Sequence, residues 1–365
     1  MMREQVIQFR RDLHQIPEIR LILPKTQAYI KQALQGLPCQ LFEPIEYAVA
    51  AYFDNGKPNT IAFRSDMDAL AVQECTGLAF ASQHEGMMHA CGHDGHMAML
   101  LAFAHELSGY YQSLPHNVLL IFQPGEESPG GADPVCQSGI LEKYHVNRIF
   151  GLHLWPDLEK HVIASKSGDM MARVSELHID IYGKSAHAAK YQEGIDAIEA
   201  GVELVHALYG MEKQLPDEIN RILRIGVFHG GSALNVVSDH AHLEGTIRAF
   251  DDEIFQYLCD EILEICEQLE IATDVTCQAL ISKGYPAVHN DDTLFQKISS
   301  IMKLTELKEP VMISEDFSYY QKRVPGVFMF LGTGSNVSLH NDHFSFDEEV
   351  LQTGVDAYIK LSHME

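Results

Sequence analysis

Hydrophobic residues in the first half of the chain fall into short apolar runs, separated by longer stretches with helical spacing. The short runs predict buried strands at 49–53, 60–64, 118–122 and 149–154. Apolar residues that recur three and four positions apart predict helices at 4–15, 26–34 and 97–107. Strands that alternate with helices predict an α/β domain, in which a mixed, mostly parallel sheet carries helices on both faces.

The pattern changes near residue 173. From there it predicts a strand, a helix, two strands, a helix and a strand, at 174–182, 196–214, 222–229, 240–248, 253–269 and 273–277. This order is that of a ferredoxin-like α+β domain. A helix at 293–302, a buried strand at 327–331 and a helix at 348–361 then resume the first pattern. We therefore predict a discontinuous first domain, residues 1–172 and 286–365, and an inserted domain at 173–285.

Composition narrows the possible partners. The chain has 365 residues, of which 46% are hydrophobic, and its formal net charge is -25. Such a charge would repel a phosphate backbone or an anionic membrane, so we expect neither nucleic acid nor membrane as a partner. The sequence has no signal-peptide hydrophobic region and no apolar run long enough for a membrane span. We therefore expect a cytoplasmic protein.

The densest group of potential metal ligands is the segment His-Ala-Cys-Gly-His-Asp-Gly-His at 89–96. Thiolate and imidazole suit zinc and its neighbours, and the glycines allow side chains that are close in sequence to converge. Any one histidine here would more often cap the following helix. Cys91 and His93 together favour a metal site, because other ligand-rich segments occupy equivalent places.

Several predicted strands lead directly into acidic or imidazole side chains. In chain order these are Asp66, the pair Glu126 and Glu127, His153, and His340. Because ligands bind at the carboxyl ends of strands in open α/β sheets, we expect these side chains to meet at one rim. Taken alone, the histidine at 340 would by default be a solvated loop residue.

The adjacent Glu126 and Glu127 suggest a division of labour. On an irregular loop, neighbouring side chains point in different directions, so one carboxylate could bind metal while the other stands beside the attacking water. The alternative is a solvated acidic loop. Pro124 and Gly125 weaken it, because they end a fully apolar strand immediately before the pair.

Eight segments resemble the M20 metallopeptidase family, and specifically its aminoacylase and amidohydrolase branch, which includes hippurate hydrolases and N-acetyldiaminopimelate deacetylases. They lie at 10–14, 64–70, 88–96, 122–127, 183–189, 235–237, 243–248 and 314–317. The resemblance runs in order over nearly the whole chain. It implies a metal-dependent hydrolase of linear amides, which forms a homodimer or a higher homo-oligomer through an inserted lid domain.

The resemblance also implies roles for single residues of the first domain. Two divalent metal ions per subunit would be bound at these positions, with zinc expected and manganese, cobalt or nickel as alternatives. The matching ligands are Cys91, His93, Glu127, His153 and His340. Glu126 matches the catalytic general base.

Three further roles fall in the inserted domain. His187 matches a histidine that stabilises the oxyanion in its own or a neighbouring subunit, and Asn235 and Arg248 match binders of the substrate carboxylate. Without the resemblance, the histidine would pass as a polar residue near the start of a helix. The chain departs from the family pattern at Gly125, at Ala71 and at 19–23, where alanine, proline and an acidic residue are usual. These departures remove no proposed ligand and bear on substrate preference.

The resulting hypothesis is an amidohydrolase that removes an acyl group, acetyl above all, from an N-acyl-L-amino acid. N-acetyl-L,L-diaminopimelate is a candidate substrate by resemblance. A dipeptidase or carboxypeptidase of the same family is the first alternative. A non-catalytic protein that binds a small ligand is the second, and it is disfavoured because every candidate ligand and base position is filled.

Overall fold

The computed structural model describes residues 2–365, which divide into two compact units. The first unit comprises residues 2–170, Val288–Pro310 and Glu315–Glu365. The second comprises Met171–Ala287 together with Val311–Ser314. The second unit therefore begins and ends within two residues of the predicted insertion and adds a short segment from beyond it.

Helices and strands are numbered separately in chain order. The helices are α1 (Met2–His14), α2 (Pro24–Leu34), α3 (His93–Ser108), α4 (Ala132–Gln137), α5 (Ile140–Lys143), α6 (Ala197–Glu212), α7 (Asp252–Thr273), α8 (Asp292–Ile301), α9 (Ser318–Gln321) and α10 (Val350–Ser362). The strands are β1 (Gln40–Phe42), β2 (Val49–Phe53), β3 (Thr60–Asp66), β4 (Asn117–Gln123), β5 (Val146–Trp155), β6 (Ile163–Ser165), β7 (Gly168–Met171), β8 (Arg173–Tyr182), β9 (Arg221–Gly230), β10 (His240–Ala249), β11 (Thr276–Ile281), β12 (Val288–Asn290), β13 (Thr305–Glu306) and β14 (Gly326–Gly332).

The first unit is built on a mixed eight-stranded sheet in the order β1-β2-β4-β3-β5-β14-β6-β13. Its four central strands, β4, β3, β5 and β14, run parallel to one another. Every residue of β3, β4 and β14 is buried, as continuous apolar runs require when helices cover both faces. The α/β class with a mostly parallel sheet is confirmed.

Helix α3 runs through the middle of the first unit, and 13 of its 16 residues are buried. It begins at His93, four residues before the predicted start at 97, because Gly92 adopts a left-handed conformation with φ of 84°. A glycine adopts this conformation without strain. The turn places His93 and His96 in the first turn of the helix, rather than in a loop before it.

The second unit has the predicted ferredoxin-like connectivity, β8-α6-β9-β10-α7-β11, with an antiparallel sheet in the order β11-β8-β10-β9. Side chains alternate along β8, so Leu177, Ile179 and Ile181 are fully buried beneath the two helices. Each helix is preceded by an N-cap aspartate, Asp196 for α6 and Asp251 for α7, whose side chain accepts backbone N–H bonds of the first turn.

One predicted strand is displaced. The sequence predicts that the last strand of the insertion begins at residue 273, but α7 continues to Thr273 and is capped by Asp274, whose φ is 61°. The strand itself runs from Thr276 to Ile281. Among the described residues, no helix is both long and apolar enough to cross a bilayer.

Candidate metal centre

The carboxyl ends of four parallel strands form the rim on which the proposed ligands lie. Asp66 is the last residue of β3, and His153 lies near the end of β5. The loop after β4 carries Glu126 and Glu127, and the loop after β14 leads to His340. Because these strands are adjacent and parallel, residues far apart in sequence arrive at one edge of the sheet.

The structure brings all five proposed ligands together as two trios that share Cys91. One trio is Cys91, His93 and His153, and the other is Cys91, Glu127 and His340. Within each trio the possible ligand atoms lie within 4.8 Å of one another. The Cys91 Sγ is 3.4 Å from the His153 Nε2, and the His340 Nε2 is 3.2 Å from the Glu127 Oε1.

Hydrogen bonds fix which nitrogen His93 and His153 can offer to a cation. The Nδ1 of His93 lies 2.8 Å from the backbone oxygen of Asp68, and that of His153 lies 2.7 Å from the oxygen of Leu154. A carbonyl oxygen only accepts, so each Nδ1 carries the proton and each Nε2 keeps its lone pair. Burial lowers the pKa of both rings, which favours the neutral form that binds metal.

The donor set fits divalent cations. Zinc bonds of about 2.0–2.3 Å to nitrogen and sulfur place neighbouring ligand atoms roughly 3.5 Å apart, as the Cys91 and His153 atoms are. The Nε2 of His93 is buried and has no hydrogen-bond partner. Burial and the charges of Glu127 and Glu126 raise the pKa of the Cys91 thiol, so its ligating thiolate requires positive charge nearby.

His96 belongs to the same sequence cluster but has no nitrogen left for a metal. Its Nδ1 is 2.7 Å from the Asp66 Oδ1, a carboxylate that accepts the ring proton. Its Nε2 accepts the N–H of Leu154 at 2.9 Å. The ring therefore ties α3 to the end of β5, next to His153.

The pKa values of Glu126 and Glu127 are shifted in opposite directions. Burial, followed by the charges of Glu315 and Glu127, raises the pKa of Glu126 well above its usual value. Burial also acts to raise the pKa of Glu127, but the hydrogen bond to His340 and the charge of His93 outweigh it and lower that pKa. Neighbouring carboxyl groups whose pKa values are pushed apart are typical of an acid or base beside a ligand.

Sequence reasoning missed Asp68, which holds the glutamate loop. Its two carboxylate oxygens accept the backbone N–H groups of Glu126 at 2.8 Å and of Glu127 at 3.1 Å. The signal that could have found it is the spacing of Asp66 and Asp68 at the end of a buried strand.

A buried arginine forms the floor beneath this rim. Arg64, on β3, donates to Asp66 at 2.9 Å, to Asp316 at 2.7 Å and to Gln123 at 2.9 Å, and its Nη2 lies 3.1 Å from Glu315. One guanidinium thus faces three acidic side chains, and burial raises the pKa of two of them, Glu315 and Asp316. Cations bound at the rim would favour the ionised forms of these acids.

The three proposed residues of the second unit fall into two places. The N–H of Ala188, next to His187, donates to the backbone oxygen of Asn235 at 2.9 Å, and both side chains are exposed. Arg248 lies near the other end of β10, eight residues after the strand begins at His240, and donates to the backbone oxygen of Met312. At about 3.4 Å per residue, those eight residues span roughly 27 Å.

Comparison with known proteins gives consistent results. A family model described as peptidase family M20/M25/M40 matches residues 62–363. An N-acetyldiaminopimelate deacetylase of Bacillus velezensis is 35% identical, over 98% of this chain and 98% of its own. A protein of the same name from Bacillus subtilis is 36% identical, over 96% of each chain.

A solved structure from Bacillus subtilis, described as a dinuclear metal-binding peptidase of the M20 family, has a TM-score of 0.87 to this chain. It is 31% identical, and the match covers 99% of this chain and 98% of that one. Sequence and fold comparisons therefore agree over nearly the full length.

Proposed function

Because this chain belongs to peptidase family M20/M25/M40 and is a metal-dependent amide hydrolase, we propose that it removes the acyl group from a small N-acyl-L-amino acid. The observation that carries the proposal is the convergence of two ligand trios beside a third group formed by His93, Glu126 and Glu127. A carboxylate that stands within 4.8 Å of two metal ligands is placed to handle the proton of an attacking water.

Cys91, His93, Glu127, His153 and His340 would hold two divalent cations, and zinc suits their thiolate and imidazole donors best. When bound, such cations supply Lewis acidity, which activates water at neutral pH and polarises the amide carbonyl. Cys91 belongs to both trios, so its thiolate would take part in holding the cations.

Glu126 acts as the general base in the proposed reaction. Its carboxylate accepts a proton from water as the water attacks the amide carbon, and then delivers that proton to the leaving amine. The raised pKa of Glu126 favours proton uptake, and nearby cations would oppose this rise and favour the carboxylate that acts as base. Asp68 holds the backbone of Glu126, so the base stays in position through both transfers.

His187 would stabilise the oxyanion, and Asn235 and Arg248 would bind the substrate carboxylate. The segments that carry His187 and Asn235 are joined by a backbone hydrogen bond near the start of β10. Arg248 lies near the other end of β10, roughly 27 Å from the first residue of the strand. One small substrate cannot reach both ends. We therefore propose a homodimer, in which His187 and Asn235 serve the centre of one subunit and Arg248 serves the centre of the other.

The proposed substrate is N-acetyl-L,L-diaminopimelate. Two relatives that are 35% and 36% identical over nearly their full length carry the name N-acetyldiaminopimelate deacetylase. An assay of the purified protein on a panel of N-acetyl and N-benzoyl amino acids, with dipeptides alongside, tests this. If dipeptides were hydrolysed faster than every N-acyl amino acid of the panel, the protein would be a peptidase instead.

The Glu126→Gln variant tests the base. We expect it to keep its metal content, measured by elemental analysis, and to lose at least about a hundredfold in kcat, since a positioned base contributes about 10²–10⁴-fold. Glu85→Gln, at an exposed glutamate, is the matched control and should keep full activity. Near-normal turnover by fully metallated Glu126→Gln would remove this residue from the mechanism.

A further inference from the structure

The sheet of the second unit has one covered face and one open face. Leu177, Ile179 and Leu243 point to the covered face and are fully buried. The residues between them point the other way, and the side chains of His178 and His242 remain 35% and 27% exposed. We call the side chains of His178, Asp180, His240, His242 and Glu244 on this open side the histidine face.

Strand register brings potential ligands together on this face. In the antiparallel pair of β8 and β10, Glu244 lies directly opposite His178, and His242 lies directly opposite Asp180. Side chains that are opposite or diagonal across two strands are within reach of one another. His178, His242 and Glu244 each place one possible ligand atom within 4.8 Å of the other two.

A neighbouring carboxylate orients one of these rings. The Oδ1 of Asp180 lies 2.9 Å from the Nδ1 of His242 and 2.9 Å from the Nε2 of His240. Since a carboxylate accepts, the Nδ1 of His242 carries a proton and its Nε2 turns towards Glu244. A carboxylate behind the ring of a ligating histidine is the usual support of a zinc ligand.

The contact between the ring of His242 and the carboxylate of Glu244 requires positive charge between them. The Nε2 of His242 lies 3.2 Å from the Oε1 of Glu244. If the ring is neutral, with its proton on Nδ1, a lone pair faces a carboxylate and the contact is repulsive. Either a second proton or a shared cation removes the repulsion. His178, which faces the same spot, supplies a further ligand to a cation but nothing to a lone proton.

We propose that the histidine face binds a divalent transition-metal ion, with zinc as the best match, through His178, His242 and Glu244. Two imidazoles and one carboxylate form a zinc-type donor set, and the fourth coordination position stays open to solvent. All three ligands lie within the second unit. The site is therefore independent of the centre in the first unit, and of the function proposed for it.

Zinc stoichiometry tests the proposal. The purified holoprotein and its variants are dialysed against micromolar Zn²⁺, and zinc per chain is measured by elemental analysis. We expect His178→Ala and His242→Ala each to bind one ion fewer than the parent chain, with unchanged amide hydrolysis. His206→Ala removes an exposed histidine from α6 of the same unit and should bind as many ions as the parent.

The Glu244→Gln variant separates loss of a ligand from loss of the fold, because glutamine keeps the size and shape of the glutamate side chain. It should weaken binding of this ion at least about tenfold in a Zn²⁺ titration, with the thermal melt of the metal-free protein unchanged. Equal zinc content in the parent and the two histidine variants would overturn the proposal. So would binding seen only at millimolar Zn²⁺, or an equal loss in His206→Ala, since either result indicates adventitious surface binding.

Discussion

The hydrogen bond made by one ring nitrogen decides what the other nitrogen can do at three histidines of the rim. His93 and His153 give their Nδ1 protons to backbone oxygens and present an Nε2 lone pair. His96 gives its Nδ1 proton to Asp66 and uses its lone pair for the N–H of Leu154. Residue type alone cannot separate these uses, because the partners of His93 and His96 come from other parts of the chain.

Asp68 is the residue whose replacement we expect to affect turnover without removing a ligand. In Asp68→Asn one of the two oxygen acceptors becomes an NH₂ donor, which faces the backbone N–H of Glu126 or Glu127. The loop then shifts, and we expect kcat to fall about 10- to 100-fold, as for other supporting contacts of metal sites. Steady-state kinetics with metal content measured in parallel checks this.

Asp157→Asn is the matched control, since it makes the same chemical change at an exposed aspartate of the first unit. It should leave kcat unchanged. Full activity in Asp68→Asn would contradict the positioning role and would show that the loop keeps its shape without both bonds.

Four of the five proposed ligands follow a strong local signal in the sequence, and His340, in a long loop, does not. Cys91 and His93 stand in a dense cluster, and Glu127 and His153 adjoin buried apolar strands. Asp68 carries only the weak signal of its spacing from Asp66, and Asp316 carries none. Their roles depend on contacts with residues more than fifty positions away, such as the bond between Arg64 and Asp316.

At the scale of elements, the turn between β4 and α4 delivers the glutamate pair. Gly131, at the start of α4, packs directly on the turn that begins at Pro124. A Cβ at this glycine would overlap the backbone oxygen of Pro124, and the backbone has no flexible end that could move aside. The turn that carries Glu126 can therefore pack against residue 131 only because this residue has no side chain.

We expect Gly131→Ala to displace this turn. The overlap should destabilise the protein by about 2 kcal/mol or more, in the range of overpacked interiors, and should lower kcat because the glutamates move. Urea denaturation and kinetics measure both effects.

Gly210→Ala is the opposite case and serves as the control. Gly210 lies within α6, and a Cβ there would meet nothing within 4 Å. Alanine should therefore stabilise the helix by about 0.5–1 kcal/mol, with activity unchanged. If both substitutions had the same effect on stability, the packing argument for Gly131 would be wrong.

The long elements were predictable, and the short ones were not. Strands such as β4 and β14 have enough apolar residues to show their pattern, and helices such as α6 repeat it over several turns. By contrast, β13 has two residues and β6 has three, too few for any periodicity. Their pairing depends on neighbours in the folded sheet.

On the scale of the whole molecule, the first unit concentrates buried carboxyl groups at one rim. Asp66, Asp68, Glu126 and Asp316 are each at least 93% buried, with Arg64 as the buried arginine among them. Metal ions that bind this rim in the folded state alone stabilise that state by mass action. Without the ions, burial raises the pKa of Asp68, Glu126 and Asp316, so these side chains favour the protonated form and the stabilising charge pairs are lost.

We therefore expect a chelator to lower the melting temperature of the protein. A site occupied at a hundred times its dissociation constant contributes about 2.7 kcal/mol, and each kcal/mol shifts the melt of a large domain by roughly 2–4 °C. The expected drop is at least about 5 °C, measured by calorimetry with and without chelator.

Cys91→Ala should reduce this difference, because it removes the ligand common to both trios. An equal chelator effect in the parent and in Cys91→Ala would mean that the stabilising ions bind elsewhere.

Strand β14 lies inside the sheet but comes late in the sequence, so it is synthesised long after its neighbour β5. It pairs with β5 on one side and with β6 on the other, inside the sheet rather than at its edge. On the ribosome, β5 therefore exposes an unpaired apolar edge until residues 326–332 have emerged, after the whole second unit has been synthesised. Such an edge can template wrong pairings until β14 covers it.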